Sequence, residues 1–113
     1  MAVIYMFHAI GETIDGDWAD PHYSYSEDNF KALLEKLGSV TDIQRHFENP
    51  AACIFTFDDG HSSNYLAAKY MYENNYGTAD FFINPEHVGK PFYLTWQQIN
   101  EMADMGMSIQ SHG

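Results

Sequence analysis

Short apolar runs alternate along this chain with segments whose apolar residues follow helical spacing. Four runs of strand length cover residues 2–7, 52–57, 79–84 and 107–110. Nearly continuous apolar runs of this length are typical of strands in a parallel sheet, and the first run is expected to be buried on both faces. The pattern therefore predicts four strands.

Three helices are predicted in the intervals between these runs. Ser26 is a typical N-cap, and the apolar residues after it follow i, i+3, i+4, i+7 spacing until Gly38 ends the helix. A second helix is predicted over 62–75, and a third over 95–105, beginning with a capping box. The inner face of the third helix is predicted to carry Trp96, Ile99, Met102 and Ala103. Strands that alternate with helices predict an α/β fold with a parallel (β/α) arrangement.

The interval 11–25 breaks this alternation. It contains Gly, Pro and several carboxylates, has no Lys or Arg, and shows no periodicity. This composition predicts a long loop, and loops of that length are often functional.

Charge and composition narrow the function. The chain of 113 residues carries 16 acidic and 5 basic side chains, for a formal net charge of -11. Nucleic acid and anionic membrane surfaces are disfavoured as partners, because phosphate binding needs clustered Lys and Arg. Cys53 is the single cysteine and gives no disulfide. No apolar stretch reaches the roughly 18 residues of a membrane span, and no signal peptide is evident at the amino terminus.

Polar side chains gather where the predicted strands end. Asp58 and Asp59 follow the second strand, while His8, Asn84 and His112 follow or end the other three. The carboxyl ends of parallel strands meet at one edge of the sheet, so these groups are expected to share a crevice.

The adjacent carboxylates of Asp58 and Asp59 repel each other in a partly desolvated place and need a compensating positive charge. No Lys or Arg occurs between His46 and Ala68, which favours a metal ion or a basic residue distant in sequence. Gly60 would allow the backbone to turn sharply so that both carboxylates converge. The alternative is two solvated loop aspartates before a helix.

Imidazoles could complete a metal site. His112 is a plausible ligand for zinc, which in catalytic sites normally takes three protein ligands and a water. His8 could be a further ligand, a partner of a ligand, or a core histidine bonded to backbone. His61 could reach the crevice, although a histidine at a helix start is more often exposed.

The chain resembles the polysaccharide deacetylases with the NodB-homology domain, carbohydrate esterases of family 4 type that fold as a distorted (β/α)7 barrel. Residues 56–60, Thr-Phe-Asp-Asp-Gly, look like the family's first motif, and 111–113, Ser-His-Gly, look like the opening of its second. Residues 76–96 and 7–10 are also similar to the family pattern.

The resemblance implies metal-dependent hydrolysis of the C–N amide bond in an N-acetylated glycan of the N-acetylglucosamine type. It implies Asp58 as general base, with Asp59 and His112 as metal ligands. The metal would be zinc, with cobalt or nickel as alternatives. His8, His61 and Asn84 are expected to support the ligands or line the substrate groove.

The resemblance also implies that residues 1–113 form the N-terminal half of the barrel, because a second histidine ligand and the later motifs would follow Gly113. The chain alone is then expected to be inactive, and either to form a homo-oligomer that covers the open half-barrel or to leave segments disordered. The family is often secreted, periplasmic or attached to the cell envelope. The alternative function is a noncatalytic module that binds carbohydrate or protein; a phosphotransferase of the haloacid dehalogenase type is disfavoured because its aspartates are separated by one residue.

Overall fold

The computed structural model describes residues 3–11, 16–19 and 24–111. Strands and helices alternate along most of this part of the chain, and a short 3-10 helix covers His46–Glu48. The elements are β1 Ile4–Phe7, β2 Ala9–Ile10, β3 Ser24–Tyr25, α1 Glu27–Leu37, β4 Val40–Thr41, β5 Cys53–Asp58, α2 Ser63–Glu73, β6 Asp80–Ile83, α3 Trp96–Asp104 and β7 Ser108–Ser111.

The main sheet is parallel throughout and follows the order β1-β5-β6-β7. The strand β4 pairs with the beginning of β5, at Val40 opposite Cys53 and Thr41 opposite Ile54. The predicted parallel α/β fold is therefore confirmed. The long loop predicted over 11–25 is wrong at its end, because residues 24–25 form β3 and pair in parallel with β2.

Local capping explains where the helices begin and end. The Ser26 hydroxyl accepts from the Asn29 N–H at the start of α1, and Gly38, at φ 79°, donates to the Leu34 carbonyl at its end. In α3, the side chains of Thr95 and Gln98 each accept from the other's backbone N–H, so the predicted capping box is confirmed. Among the described residues, the helices are too short or too polar to span a bilayer.

An aromatic cluster joins the sheet to α1. Phe57 is fully buried in β5, and its ring centroid lies 5.0 Å from Phe7, 4.6 Å from Phe81 and 5.9 Å from Phe30 of α1. Burying each such ring contributes roughly 1.5–3 kcal/mol. The cluster fixes the levels of β1, β5 and β6 relative to one another, and so fixes where their carboxyl ends lie.

Two burial predictions are wrong. Residues Ile4 and Met6 are 53% and 66% exposed, so β1 is not buried on both faces; it lies at the edge of the sheet and buries only Phe7. Trp96 is 56% exposed and Ala103 is also exposed, because α3 buries only the narrower stripe of Ile99 and Met102. Self-association that covers the open half-barrel stays a prediction.

A buried polar network lies at the opposite end of the sheet from the predicted crevice. Asp42 is fully buried, accepts from the Arg45 N–H and guanidinium at 2.9 and 3.1 Å, and accepts from the Thr78 hydroxyl at 2.7 Å. Asp80 is 2% exposed, and its Oδ2 accepts from the Ile43 N–H at 2.8 Å. These bonds tie the segment after β4 to the beginning of β6.

The Asp80→Asn substitution is expected to stabilise the protein more at pH 7 than at pH 4. Burial raises the pKa of Asp80, against the opposing effect of the Ile43 N–H. A raised folded pKa makes a contribution to stability that is complete below the unfolded value and is lost as the pH rises through the folded value. An asparagine keeps an oxygen that accepts from Ile43 and carries no charge.

Urea unfolding of both proteins at the two pH values measures this effect. The matched control is Asp104→Asn, an exposed position at the end of α3, which should show no comparable pH-dependent gain. An equal change in unfolding free energy at pH 4 and pH 7 for Asp80→Asn would contradict the assignment.

Candidate active site

The backbone turns sharply where β5 ends. Asp58 is the last residue of β5 and lies opposite Phe82 of β6. The next two residues, Asp59 and Gly60, take left-handed φ values of 75° and 70°. A non-glycine residue in this region is uncommon and is often found at functional sites. The turn interrupts the strand alternation that would send the two adjacent carboxylates to opposite faces of the sheet.

The side chain of His8 faces this turn from the neighbouring strand. Phe7, the last residue of β1, pairs with Phe57, so His8 follows at the level of Asp58. Its Nε2 lies 3.9 Å from Oδ2 of Asp59, and the two side chains are 38% and 41% exposed. The alternative of a core histidine is therefore wrong. A carboxylate and an imidazole at one strand edge are donor types that zinc takes in proteins.

The other two strand-end predictions have different outcomes. The Asn84 Oδ1 accepts from the Glu86 N–H at 3.0 Å, so this side chain stabilises the turn that follows β6. His112 lies outside the described residues; Ser111, directly before it, pairs with Ile83 at the end of β6. Within 3–11, 16–19 and 24–111, no three His, Cys, Asp or Glu side chains converge as a metal-binding group. The Asp59 carboxylate is a donor type that suits a divalent cation. A complete metal site would need further ligands, such as His112.

His61 is buried, so the alternative of an exposed histidine is wrong. Its Nε2 lies 2.8 Å from Oδ2 of Asp17, whose side chain is 4% exposed. The Ser63 N–H donates to Nδ1 at 3.1 Å, which leaves the proton on Nε2 to be donated to Asp17. Sequence reasoning missed Asp17, because nothing in the sequence links it to a histidine 44 positions later.

Aromatic side chains lie beside the same turn. The ring of Trp18 stacks on Tyr93 with centroids 4.4 Å apart and planes at 9°. Burial, and then the negative charge of Asp59, raise the pKa of Tyr93. The Leu94 N–H donates to the Gly60 carbonyl at 3.0 Å, which fixes this segment against the carboxylate turn. Sequence reasoning missed Trp18 as well, since a single aromatic in an aperiodic segment carries no positional signal.

Comparisons with known proteins agree on one family. The family model for polysaccharide deacetylase matches residues 48–113. YxkH of Bacillus subtilis strain 168, whose name describes it as a candidate polysaccharide deacetylase, is 31% identical over 115 residues, covering 96% of this chain and 41% of that protein.

Solved structures share the fold. The crystal structure of a polysaccharide deacetylase from Bacillus cereus matches with a TM-score of 0.81 at 24% identity, over 98% of this chain and 38% of that one. The Streptococcus pyogenes deacetylase PplD in complex with acetate matches with a TM-score of 0.77 at 25% identity, over 98% of this chain and 55% of that one. The chain thus spans less than two thirds of the length of each of these relatives.

Proposed function

Because the chain belongs to the polysaccharide deacetylase family, we propose that it supplies the catalytic base and part of the metal site of a metal-dependent polysaccharide N-deacetylase. The observation that carries the proposal is the left-handed turn at Asp59 and Gly60, which places two adjacent carboxylates at the carboxyl end of a buried strand. His8 faces this turn from the next strand. Catalytic groups of parallel α/β folds collect at this edge of the sheet.

In the proposed mechanism Asp59 and His112 hold a divalent cation, zinc in the first instance and cobalt or nickel as alternatives. When bound, such a cation supplies Lewis acidity toward the acetamide carbonyl and toward water. His8 faces the Asp59 carboxylate and orients it.

Asp58 acts as the general base. Its carboxylate takes a proton from a water molecule as the water oxygen attacks the amide carbon, and a tetrahedral species forms. The C–N bond then breaks, releasing acetate and an amine. The amine leaves only after it is protonated, and the family resemblance assigns that role to a histidine after residue 113.

The proposed substrate is an N-acetylated glycan of the N-acetylglucosamine type. Two observations support it. One is the polysaccharide deacetylase match. The other is the acetate bound to PplD, since hydrolysis of an acetamide releases acetate. The net charge of -11 suits an uncharged or cationic glycan better than a polyanion.

We expect Asp59→Ala to weaken zinc binding by more than about 10–100-fold, the loss typical of removing only a partner of a ligand. The experiment is a chelator-competition titration of the longest native polypeptide that contains this sequence. Asp28→Ala, which removes an exposed carboxylate from the first turn of α1, is the matched control and should leave the zinc affinity unchanged.

Unchanged zinc affinity in Asp59→Ala would exclude Asp59 as a ligand. Absence of binding at micromolar zinc, cobalt and nickel in the unsubstituted protein would refute the metal-dependent function and favour a noncatalytic binding module.

A further inference from the structure

A buried hydrogen bond between Asp17 and His61 holds residues 16–19 against the start of α2. The side chains of Asp17 and His61 are 4% and 8% exposed, and their oxygen and Nε2 atoms lie 2.8 Å apart. The Ser63 hydroxyl lies 2.8 Å from Nδ1 of His61 and accepts from the Ile10 N–H at 2.8 Å. Breaking such a network leaves buried polar groups unsatisfied and is costly. The segment is therefore fixed in position.

This fixed segment presents Trp18. The indole Nε1–H donates to the Phe92 carbonyl at 3.1 Å, and the same carbonyl accepts from the Ser62 N–H at 2.9 Å. One face of the indole ring stacks on Tyr93, yet 37% of Trp18 remains exposed. A tryptophan with its polar atom satisfied, its ring fixed and part of its surface open to solvent has the properties of a preorganised binding surface.

Tyr93 connects this surface to the carboxylate turn. It pairs with His61 in an antiparallel bridge, and the following residue bonds to Gly60. Its ring also packs on His87, with centroids 4.8 Å apart. The three rings of Trp18, Tyr93 and His87 form a continuous aromatic row, and its middle ring, Tyr93, lies near enough to Asp59 to be affected by that charge.

We propose that the exposed part of this aromatic row, with Trp18 as its main contact, is a subsite on which a sugar ring of the glycan stacks. Asp17 and His61 are positioning residues that hold Trp18 in place. The subsite rests on the proposed function for its ligand, since the apolar C–H face of a pyranose matches a flat aromatic surface. A Trp18 that only covered the buried Asp17–His61 hydrogen bond would contribute to folding and not to glycan binding.

The test uses the hexamer of N-acetylglucosamine and the longest native polypeptide that contains this sequence. Because the chain has two tryptophans, Trp96→Phe leaves Trp18 as its only tryptophan reporter. Any tryptophan added by a longer polypeptide is replaced likewise. Titration with the hexamer should change the Trp18 emission saturably. Trp18→Ala should raise the hexamer Kd by about tenfold or more, which corresponds to about 1.4 kcal/mol. The Kd of Trp18→Phe should lie between the values of the unsubstituted protein and Trp18→Ala.

Controls separate binding from folding. Trp96→Ala, at the exposed first residue of α3, should leave the hexamer Kd unchanged. Asp17→Ala should raise the Kd as Trp18→Ala does. Asp17→Asn should keep the hexamer Kd close to that of the unsubstituted protein, because the amide oxygen still accepts from His61.

Three results would overturn the subsite: no hexamer binding by the unsubstituted protein, no emission change on binding, or an unchanged Kd in Trp18→Ala. Deacetylation of the hexamer and hydrolysis of p-nitrophenyl acetate by the unsubstituted protein report on the proposed function separately. If the protein is active on either compound but the hexamer Kd is the same in Trp18→Ala, the subsite is refuted and the proposed function is not. Trp18-dependent binding without activity on either compound refutes the proposed function alone.

Discussion

Asp58→Asn is expected to lower kcat/KM for glycan deacetylation by roughly 10²–10⁴-fold, the usual contribution of a general base. Asparagine has nearly the same shape as aspartate but cannot take a proton from the attacking water. Asp58 is the last residue of β5 and precedes the left-handed turn, so the substitution leaves the strand pairing opposite Phe82 intact. Zinc affinity should therefore stay close to that of the unsubstituted protein.

Measuring zinc affinity and deacetylation together distinguishes the roles of the two adjacent aspartates. Asp59→Ala should lose zinc and activity together, whereas Asp58→Asn should lose activity alone. Asp104→Asn, an exposed carboxylate of α3, should change neither. Near-normal deacetylation by Asp58→Asn, measured on the longest native polypeptide, would exclude Asp58 as the base.

The helix ends were predictable because the interactions that set them are local. The Ser26 cap acts on a residue three positions away, and the Thr95 capping box spans the same distance. Strand existence was predictable for a similar reason, since apolar runs are visible in the sequence itself.

Burial could not be predicted as well, because it depends on which elements pack together. The apolar run of β1 suggested two buried faces, but Ile4 and Met6 share one face of the strand, and that face is exposed among the described residues. Strand β4 was missed because Val40–Thr41 is two residues long and depends on pairing with β5 for its existence.

The candidate site likewise has a part that the sequence predicts and a part that depends on tertiary packing. The carboxylates of Asp58 and Asp59 could be placed from sequence, because they follow a recognisable strand and strand ends collect functional groups. The pairing of Asp17 with His61 could not, because it joins residues 44 positions apart through the path of the intervening chain. The parts of a site carried by strand ends are thus readable from sequence, and the parts brought in by loops need the fold.

Gly77→Ala is expected to lower the free energy of unfolding by roughly 2–5 kcal/mol, from overpacking and from an unfavourable positive φ. Gly77 has φ 126°, and a Cβ there would lie 2.0 Å from the Val40 carbonyl oxygen. That oxygen belongs to the backbone and cannot rotate aside, because Val40 is held by its N–H bond to the Tyr76 carbonyl at 2.8 Å. The alanine must therefore distort the β4 contact or the start of β6. The loss is large against a total stability of about 5–15 kcal/mol.

Gly89→Ala isolates the steric part of this effect. Gly89 also has a positive φ, 86°, but a Cβ there would meet nothing within 4 Å. Its substitution should cost only the backbone penalty of about 1–2 kcal/mol. Urea unfolding followed by circular dichroism measures both variants, and an unchanged m-value would show that the stability, rather than the compactness of the unfolded state, has changed. Equal losses in the two variants would mean that the close approach of Val40 to Gly77 contributes nothing, and that φ alone requires glycine at position 77.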